Sequence, residues 1–179
     1  MDESGRVLMQ GYVQVYTGDG KGKTTAALGL ALRAAGAGHR VFFAQFAKGM
    51  YYSELQALER FSDLITVRQY GRRCFIRGEP GEEDRRLART GLAEAKVEML
   101  SGRYQLVVLD EASIAVYFGL FSIDDLLEVV EVRPTEVELV ITGRRAHERL
   151  LAVADLVTEM REVKHYYQQG VAARKGIES

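Results

Sequence analysis

The chain has little of what several classes of protein require. Its 179 residues include one cysteine, Cys74, no tryptophan and two prolines. A single cysteine forms no intramolecular disulfide and leaves no cysteine pair for a structural zinc site. Lysine and arginine number 24 against 25 acidic residues, so there is no basic excess to neutralise a nucleic-acid backbone. The composition argues against disulfide-framework proteins, cysteine-based zinc proteins and duplex nucleic-acid binders.

Long apolar runs are also missing. No stretch of about 18 consecutive apolar residues occurs, and the first ten residues hold no signal-peptide core. We therefore expect no membrane span and a cytoplasmic location. The hydrophobic fraction of 47% is ordinary for a globular protein. The length suits one domain, which we expect to span residues 1–179.

Short β-branched runs alternate with longer helical segments along the chain. Strands are predicted at 13–16, 40–46, 64–70, 105–109, 137–142 and 156–163. Helices are predicted at 24–37, 53–61, 81–101 and 147–154, with another that begins at Ser122 and ends before Pro134. This alternation predicts an α/β three-layer sandwich, in which helices cover both faces of a mostly parallel central sheet. Ligands of such sheets bind at the carboxyl ends of the strands.

A glycine-rich loop lies between the first predicted strand and the first predicted helix. Residues 17–25 read Thr-Gly-Asp-Gly-Lys-Gly-Lys-Thr-Thr and end in the Gly-Lys-Thr of a P-loop, although Thr17 replaces the usual first glycine. Glycines at 18, 20 and 22 let backbone N–H groups turn toward phosphate oxygens. The alternative is a glycine-rich turn that serves only for packing. In that case the order of strand, glycine-rich loop, Gly-Lys-Thr and helix would be a coincidence. The loop is therefore predicted to bind phosphate in a P-loop NTPase-like fold.

The loop also supplies the candidate nucleotide-binding residues. Lys23 carries a point charge, the Thr24 hydroxyl can ligate Mg²⁺, and the helix start adds positive potential. The predicted set in the loop is Gly18, Asp19, Gly20, Lys21, Gly22, Lys23, Thr24 and Thr25.

Two carboxylates, Asp110 and Glu111, follow the apolar strand predicted at 105–109. In P-loop proteins this position usually carries the acid that holds Mg²⁺ or its waters. Asp110 could instead be the N-cap of a following helix. On these two residues alone the interpretations are nearly even. The phosphate loop upstream favours a metal site made of Thr24, Asp110 and Glu111.

Other side chains are predicted at the same edge of the sheet. Gln45 follows the second strand and could reach a nucleotide, and Arg144 follows the fifth and could contact a phosphate. Arg144 could equally cover a helix end or pair with a surface acid. The three histidines lack metal-ligand spacing and are interpreted as surface or packing residues.

Five sequence blocks carry a more specific resemblance. They are residues 17–27, 45–49, 109–111 and 141–144, and a tail that runs from 163–165 to the Lys-Gly-Ile-Glu of 175–178. In this order they resemble the ATP:corrinoid adenosyltransferases of the P-loop type over nearly the whole chain. The resemblance implies transfer of the 5′-deoxyadenosyl group of ATP to the Co(I) centre of a reduced corrinoid. The product would be adenosylcobalamin or a precursor, and inorganic triphosphate would leave.

The resemblance also implies roles for residues and partners. Because Co(I) is itself a nucleophile, the enzyme needs no general base and must instead stabilise charge on the departing triphosphate. Lys21, Lys23 and Glu111 are the predicted catalytic residues, with Mg²⁺ or Mn²⁺ as the metal. Phe75 is the predicted corrinoid contact, in a loop where some family members carry Phe and Trp. A flavoprotein or other cobalt reductase would be a partner, and the protein would be a homodimer.

Other classes of function are compatible with the same motifs. A P-loop ATPase or small-molecule kinase could use Glu111 to orient water or a substrate hydroxyl. A non-catalytic, nucleotide-dependent corrinoid carrier would bind both ligands without forming a cobalt–carbon bond. A nucleic-acid motor is disfavoured by the charge balance.

Overall fold

The structure is a computed structural model that describes residues 10–47, 49, 52–72 and 79–178. The strands within these residues are β1 (Val13–Thr17), β2 (Val41–Phe46), β3 (Ile65–Tyr70), β4 (Leu106–Asp110), β5 (Glu138–Thr142) and β6 (Leu156–Glu159). The α-helices are α1 (Lys23–Gly36), α2 (Ser53–Leu58), α3 (Glu82–Leu100), α4 (Ala112–Tyr117), α5 (Ile123–Glu131) and α6 (Glu148–Val153). Two short 3-10 segments are also present, Glu59–Phe61 and Tyr166–Gln169.

The six strands of the described chain form one sheet in the order β3-β2-β4-β5-β1-β6, and neighbouring strands pair in parallel. All carboxyl ends therefore meet at one edge. In the strand register, polar residues near the carboxyl ends are neighbours: Gln45 lies opposite Asp110, and Tyr16 lies opposite Thr142. The edge that carries the predicted motifs is thus continuous from β2 to β1.

Both faces of the central strands are buried. One cluster of apolar side chains joins Phe42, Leu109 and Leu139 to helices α3, α4, α5 and α6. A second cluster joins Phe43 and Val108 to α1 and α2. Successive residues of a strand point to opposite faces, so β2 and β4 contribute to both clusters. The prediction of a three-layer α/β sandwich is confirmed.

Element bounds agree with the predictions to within a few residues, apart from two segments. The helix predicted at 53–61 ends at Leu58 and continues as a 3-10 turn. The strand predicted at 156–163 ends at Glu159. Met160 follows it by donating its N–H to the Thr17 carbonyl oxygen at 2.8 Å and accepting the Gly20 N–H at 2.7 Å. The strand is short because the chain there turns onto the glycine loop.

Local hydrogen bonds explain where two helices begin. Ser122 Oγ accepts the Asp125 N–H at 3.1 Å, and the Asp125 carboxylate accepts the Ser122 N–H at 2.7 Å, so the prediction that α5 begins at Ser122 is confirmed. At the start of α3, Asp84 accepts the Gly81 N–H at 2.9 Å and two hydrogen bonds from Arg72, both of 2.6 Å. The Arg72 guanidinium lowers the pKa of Asp84. This ion pair ties the end of β3 to the start of α3.

Cys74 and Phe75 fall within 73–78, outside the described residues. A single domain over 1–179 stays a prediction. None of the described helices combines the length and the apolar character needed to cross a membrane.

Two helical glycines provide a matched test of the packing. A Cβ atom on Gly91, in α3, would lie 2.2 Å from the Tyr70 ring, whereas a Cβ on Gly29, in α1, would meet nothing within 4 Å. We expect Gly91→Ala to lower the free energy of unfolding by about 1–3 kcal/mol through overpacking. Gly29→Ala should raise it by up to about 1 kcal/mol through helix propensity. Urea denaturation measures both, and equal stability of the two variants would contradict the placement of α3 on β3.

Candidate active site

The glycine loop takes its shape from close contact with Met160. Gly18 and Gly22 have φ values of 91° and 118°, in the left-handed region that disfavours side chains. A Cβ on Gly18 would lie 2.4 Å from the Met160 carbonyl oxygen, and one on Gly20 would lie 2.7 Å from it. Glycine is therefore required at Gly18 for both backbone conformation and space, at Gly20 for space and at Gly22 for conformation.

Lys23 places a charge inside the loop. Its side chain is buried, and Nζ donates hydrogen bonds of 2.7 Å to the carbonyl oxygens of Gly18 and Gly20. Burial lowers the pKa of Lys23, and the nearby Glu111 carboxylate opposes that shift. The ammonium group is thus held at the loop, next to the start of α1. The start of an α-helix carries positive potential and favours an anion.

Asp110 joins three elements at the carboxyl edge. Its side chain is 0% exposed, and Oδ1 accepts hydrogen bonds from Thr24 Oγ1 at 2.9 Å and from Thr142 Oγ1 at 2.7 Å. Oδ2 accepts a hydrogen bond of 3.3 Å from Gln45 Nε2, and Gln45 Oε1 accepts one of 3.1 Å from Gln69. The carboxylate therefore connects α1, β5 and β2. The N-cap residue of α4 is Glu111, so the alternative role of Asp110 as that cap is wrong.

Strained backbone also concentrates at this edge. Glu111 has a φ of 61°, and its N–H donates a 3.0 Å hydrogen bond to Thr142 Oγ1. Ala47 and Arg145 have φ values of 53° and 55°, just beyond β2 and β5. Such conformations cost on the order of 1–3 kcal/mol each and cluster at functional sites. The strain agrees with a site built where β2, β4 and β5 end.

A cavity of about 780 Å³ opens over the loop. This volume suits a ligand of nucleotide size. Its walls come from the loop, the start of α2, the ends of β4 and β5, and the C-terminal segment, residues 165–178. They consist of residues 19–25, Leu28, Tyr52, Ser53, Glu54, Glu111, Arg144, His165, Ala173, Gly176, Ile177 and Glu178.

The structure gathers most of the predicted site residues around this cavity. Residues 19–25 line it together with Glu111 and the exposed Arg144. Gly18 begins the loop against Met160. Asp110 and Gln45 are buried and reach the site through the Thr24 hydroxyl.

Two predicted residues stand apart from this group. Phe75 lies outside the described residues. Lys21 lines the cavity, but its Nζ is turned to the C-terminal segment. It donates to Glu178 Oε1 at 2.9 Å, the Ile177 carbonyl oxygen at 3.1 Å and the Tyr166 hydroxyl at 3.3 Å.

Sequence reasoning missed two parts of the site. Thr142 received no role, although its hydroxyl supports both Asp110 and the Glu111 N–H. Its position at the end of a strand predicted to share the ligand edge was the available signal. The walls formed by the start of α2 and by His165, Ala173, Gly176, Ile177 and Glu178 were also missed, because they lie far from the loop in sequence. The family resemblance of the tail marked most of these C-terminal residues but did not place them beside the loop.

The residues at this edge are of a kind that fits Mg²⁺. Thr24, Asp110 and Glu111 offer a hydroxyl and two carboxylates, and Mg²⁺ is commonly held by one or two carboxylates together with substrate phosphates. The hydroxyl and amide donors described above hold Asp110 in place next to Thr24. In the part of the chain that the structure describes, no three His, Cys, Asp or Glu side chains cluster as a metal site.

The parallel sheet, the glycine loop between β1 and α1 and the buried acid at the end of β4 define an α/β protein of the P-loop-like class. The chain belongs to a family within that class: residues 9–179 match the family model described as ATP:corrinoid adenosyltransferase BtuR/CobO/CobP. The resemblance seen in the sequence blocks is therefore confirmed.

Individual relatives match over almost the same span. The chain is 35% identical over 170 residues to the corrinoid adenosyltransferase of Escherichia coli, covering 94% of this chain and 86% of the relative. The corrinoid adenosyltransferase of Pseudomonas aeruginosa is 34% identical over 170 residues, which cover 94% of this chain and 84% of the relative. The corrinoid adenosyltransferase CobA of Salmonella typhimurium is 35% identical over 175 residues, which cover 94% of this chain and 86% of the relative.

Thr142 offers a test of the Asp110 junction. Thr142→Val keeps the side-chain shape but removes the hydroxyl that donates to Asp110 and accepts from the Glu111 N–H. Because both partners would then be left short of a hydrogen bond, we expect a loss of about 1–3 kcal/mol in the free energy of unfolding. Thr142→Ser keeps the hydroxyl and should recover most of it. Chemical denaturation of the three proteins measures the difference, and a Val variant as stable as the wild type would contradict the junction.

Proposed function

We propose that this protein transfers the 5′-deoxyadenosyl group of ATP to the Co(I) centre of a reduced corrinoid and releases inorganic triphosphate. The observation that carries the proposal is a cavity lined together by the glycine loop, Glu111 and Arg144, in a chain of the adenosyltransferase family. The loop end of the cavity suits the triphosphate. The remaining volume is available to the nucleoside.

The chemistry assigns the protein a limited task. Co(I) donates an electron pair to C5′ of ATP, the cobalt–carbon bond forms, and the C5′–O bond breaks with its electron pair passing to the triphosphate. No proton is transferred, so no general base is required. The protein must hold the reacting atoms in place and stabilise the charge that grows on the leaving triphosphate.

Lys23 and the loop N–H groups are the residues that we propose for this stabilisation. The ammonium is buried and held by the loop carbonyl oxygens, and a charge in such a place interacts more strongly than one in water. Because these donors are fixed before the reaction, they need little rearrangement as charge develops. Arg144, which also lines the cavity, would add a second positive charge.

Mg²⁺ or Mn²⁺ would be held by Thr24, Asp110 and Glu111, as the donor set allows. When bound, the metal neutralises part of the charge on the phosphate oxygens. Asp110 is oriented for this by Thr142 and Gln45, which hold its carboxylate beside the Thr24 hydroxyl. Gln45 thus supports nucleotide binding through Asp110.

Further parts of the proposal concern the corrinoid and the partners. Phe75 would contact the corrinoid, and a flavoprotein or other reductase would supply Co(I). A homodimer in the cytoplasm is the proposed state. In support of dimerisation, two apolar residues of the edge strand β6 are exposed to solvent: Leu156 is 44% exposed and Val157 is 46% exposed.

An anaerobic assay tests the proposed function. Cobalamin reduced to Co(I) is mixed with the protein, ATP and Mg²⁺, and the corrinoid spectrum and the phosphate product are followed together. We expect a light-sensitive adenosylcobalamin spectrum with an equal amount of triphosphate. Release of ADP or phosphate without alkylation would favour the ATPase or kinase instead. Binding of both ligands without any reaction, with cobinamide as well as cobalamin, would favour a carrier.

Lys23→Ala tests the role of the buried ammonium in this assay. Loss of one preorganised donor typically costs about 3 kcal/mol of barrier, so we expect at least a hundredfold loss of turnover. Lys96→Ala is the matched control, because Lys96 forms a surface ion pair with Glu128 on α5 and belongs to neither the loop nor the cavity. Near-normal turnover of Lys23→Ala would contradict the assignment.

A further inference from the structure

Lys21 and Glu178 link the glycine loop to the C-terminal segment, residues 165–178. We propose that this pair is an anchor that holds the segment as a wall of the nucleotide cavity. Lys21 then favours nucleotide binding because it positions the wall, and it does not contact a phosphate directly. This inference rests on the proposed function, in which the cavity binds ATP.

The contacts of the Lys21 ammonium carry the first step. A lysine ammonium has three N–H donors. The segment supplies three acceptors within reach: Glu178 Oε1 at 2.9 Å, the Ile177 carbonyl oxygen at 3.1 Å and the Tyr166 hydroxyl at 3.3 Å. The donor capacity of Lys21 is therefore matched by the segment. A phosphate could bind Nζ only by displacing one of these contacts.

The Glu178 carboxylate organises the segment itself. Its side chain is 16% exposed, and besides Lys21 it accepts hydrogen bonds from the Tyr166 hydroxyl and from the Arg174 N–H at 2.8 Å. The Arg174 guanidinium donates two more, at 3.1 and 3.3 Å, and lies 5.0 Å from the Tyr166 ring centre. Arg174, then Tyr166 and Lys21, lower the pKa of Glu178. One carboxylate thus gathers the two ends of the segment and the loop lysine.

The segment so held faces the ligand space. His165, Ala173, Gly176, Ile177 and Glu178 line the same cavity as residues 19–25. The 3-10 turn at Tyr166–Gln169 and the turn at 175–178 give this wall its shape. Removing the anchor would release the wall from the loop and leave the loop glycines unchanged.

Simple electrostatics makes the opposite prediction for Glu178, which allows a decisive test. A carboxylate beside a triphosphate repels it, so removing the charge should tighten ATP binding if Glu178 only adds negative potential. If Lys21 contacts phosphate directly, its loss should weaken binding whether or not Glu178 is present. If the pair is an anchor, removing either side chain should weaken ATP binding. The two effects should not add, because the loss of either side chain already frees the wall.

The experiment is a double-mutant cycle on the full chain. The proteins are the wild type, Lys21→Met, Glu178→Gln and the double variant. ATP affinity with Mg²⁺ is measured by calorimetry, and the rate of protease cleavage within 161–178 is measured without nucleotide. We expect each single variant to bind ATP roughly tenfold more weakly, within the range seen for residues that act together. The double variant should be no weaker than the weaker single, and all three should be cleaved faster than the wild type.

Glu162→Gln is the matched control. Glu162 is an exposed carboxylate of the same region that accepts a hydrogen bond from Gln168 at 2.9 Å, and its loss should leave ATP affinity unchanged. Tighter or unchanged ATP binding by Glu178→Gln, or additive losses in the double variant, would overturn the anchor while leaving the proposed function standing. Failure of the wild type to bind ATP would overturn the proposed function and the anchor with it.

Discussion

The buried carboxylate of Asp110 is the interaction on which the rest of the site depends. It is fully enclosed at the end of β4, where the Thr24 and Thr142 hydroxyls and the Gln45 amide hold it. These partners come from α1, β5 and β2, so one side chain sets the relative positions of the phosphate loop and two neighbouring strands. Burying a charge in this way is costly unless hydrogen bonds or a cation compensate. The proposed metal gives that cost a functional purpose.

A second constraint, steric this time, shapes the loop above Asp110. The Met160 carbonyl oxygen packs so closely on the loop that Gly18 and Gly20 leave no room for a side chain. Because Met160 directly follows β6, the edge strand and the loop depend on each other. The chain then returns over the loop as residues 165–178, so that the C-terminal end of the described chain lines the cavity opened by its first helix. Loop, edge strand and C-terminal segment therefore form one unit.

Local patterns in the sequence were enough to predict the layers, the parallel sheet and the phosphate loop. Apart from Gln45 and Asp110 near their carboxyl ends, β2 and β4 are apolar because both faces are buried, and the start of α5 at Ser122 depends on neighbouring residues. The roles of Thr142 and Glu178 were not predictable in this way. Both depend on contacts with residues more than thirty positions away along the chain. The strand β6 was predicted, but its end was placed four residues too late for the same reason, since the chain beyond Glu159 contacts the distant Gly20.

The most direct test of this account is the Mg²⁺ dependence of ATP affinity in the wild type and in Asp110→Asn. Calorimetric titrations with and without Mg²⁺ measure it, and circular dichroism verifies that the variant is folded. If Asp110 couples the loop to the metal, Mg²⁺ should strengthen ATP binding by the wild type at least about tenfold, which corresponds to about 1.4 kcal/mol. Mg²⁺ should have little effect on the ATP affinity of Asp110→Asn. An equal gain from Mg²⁺ in both proteins would contradict the central role of Asp110.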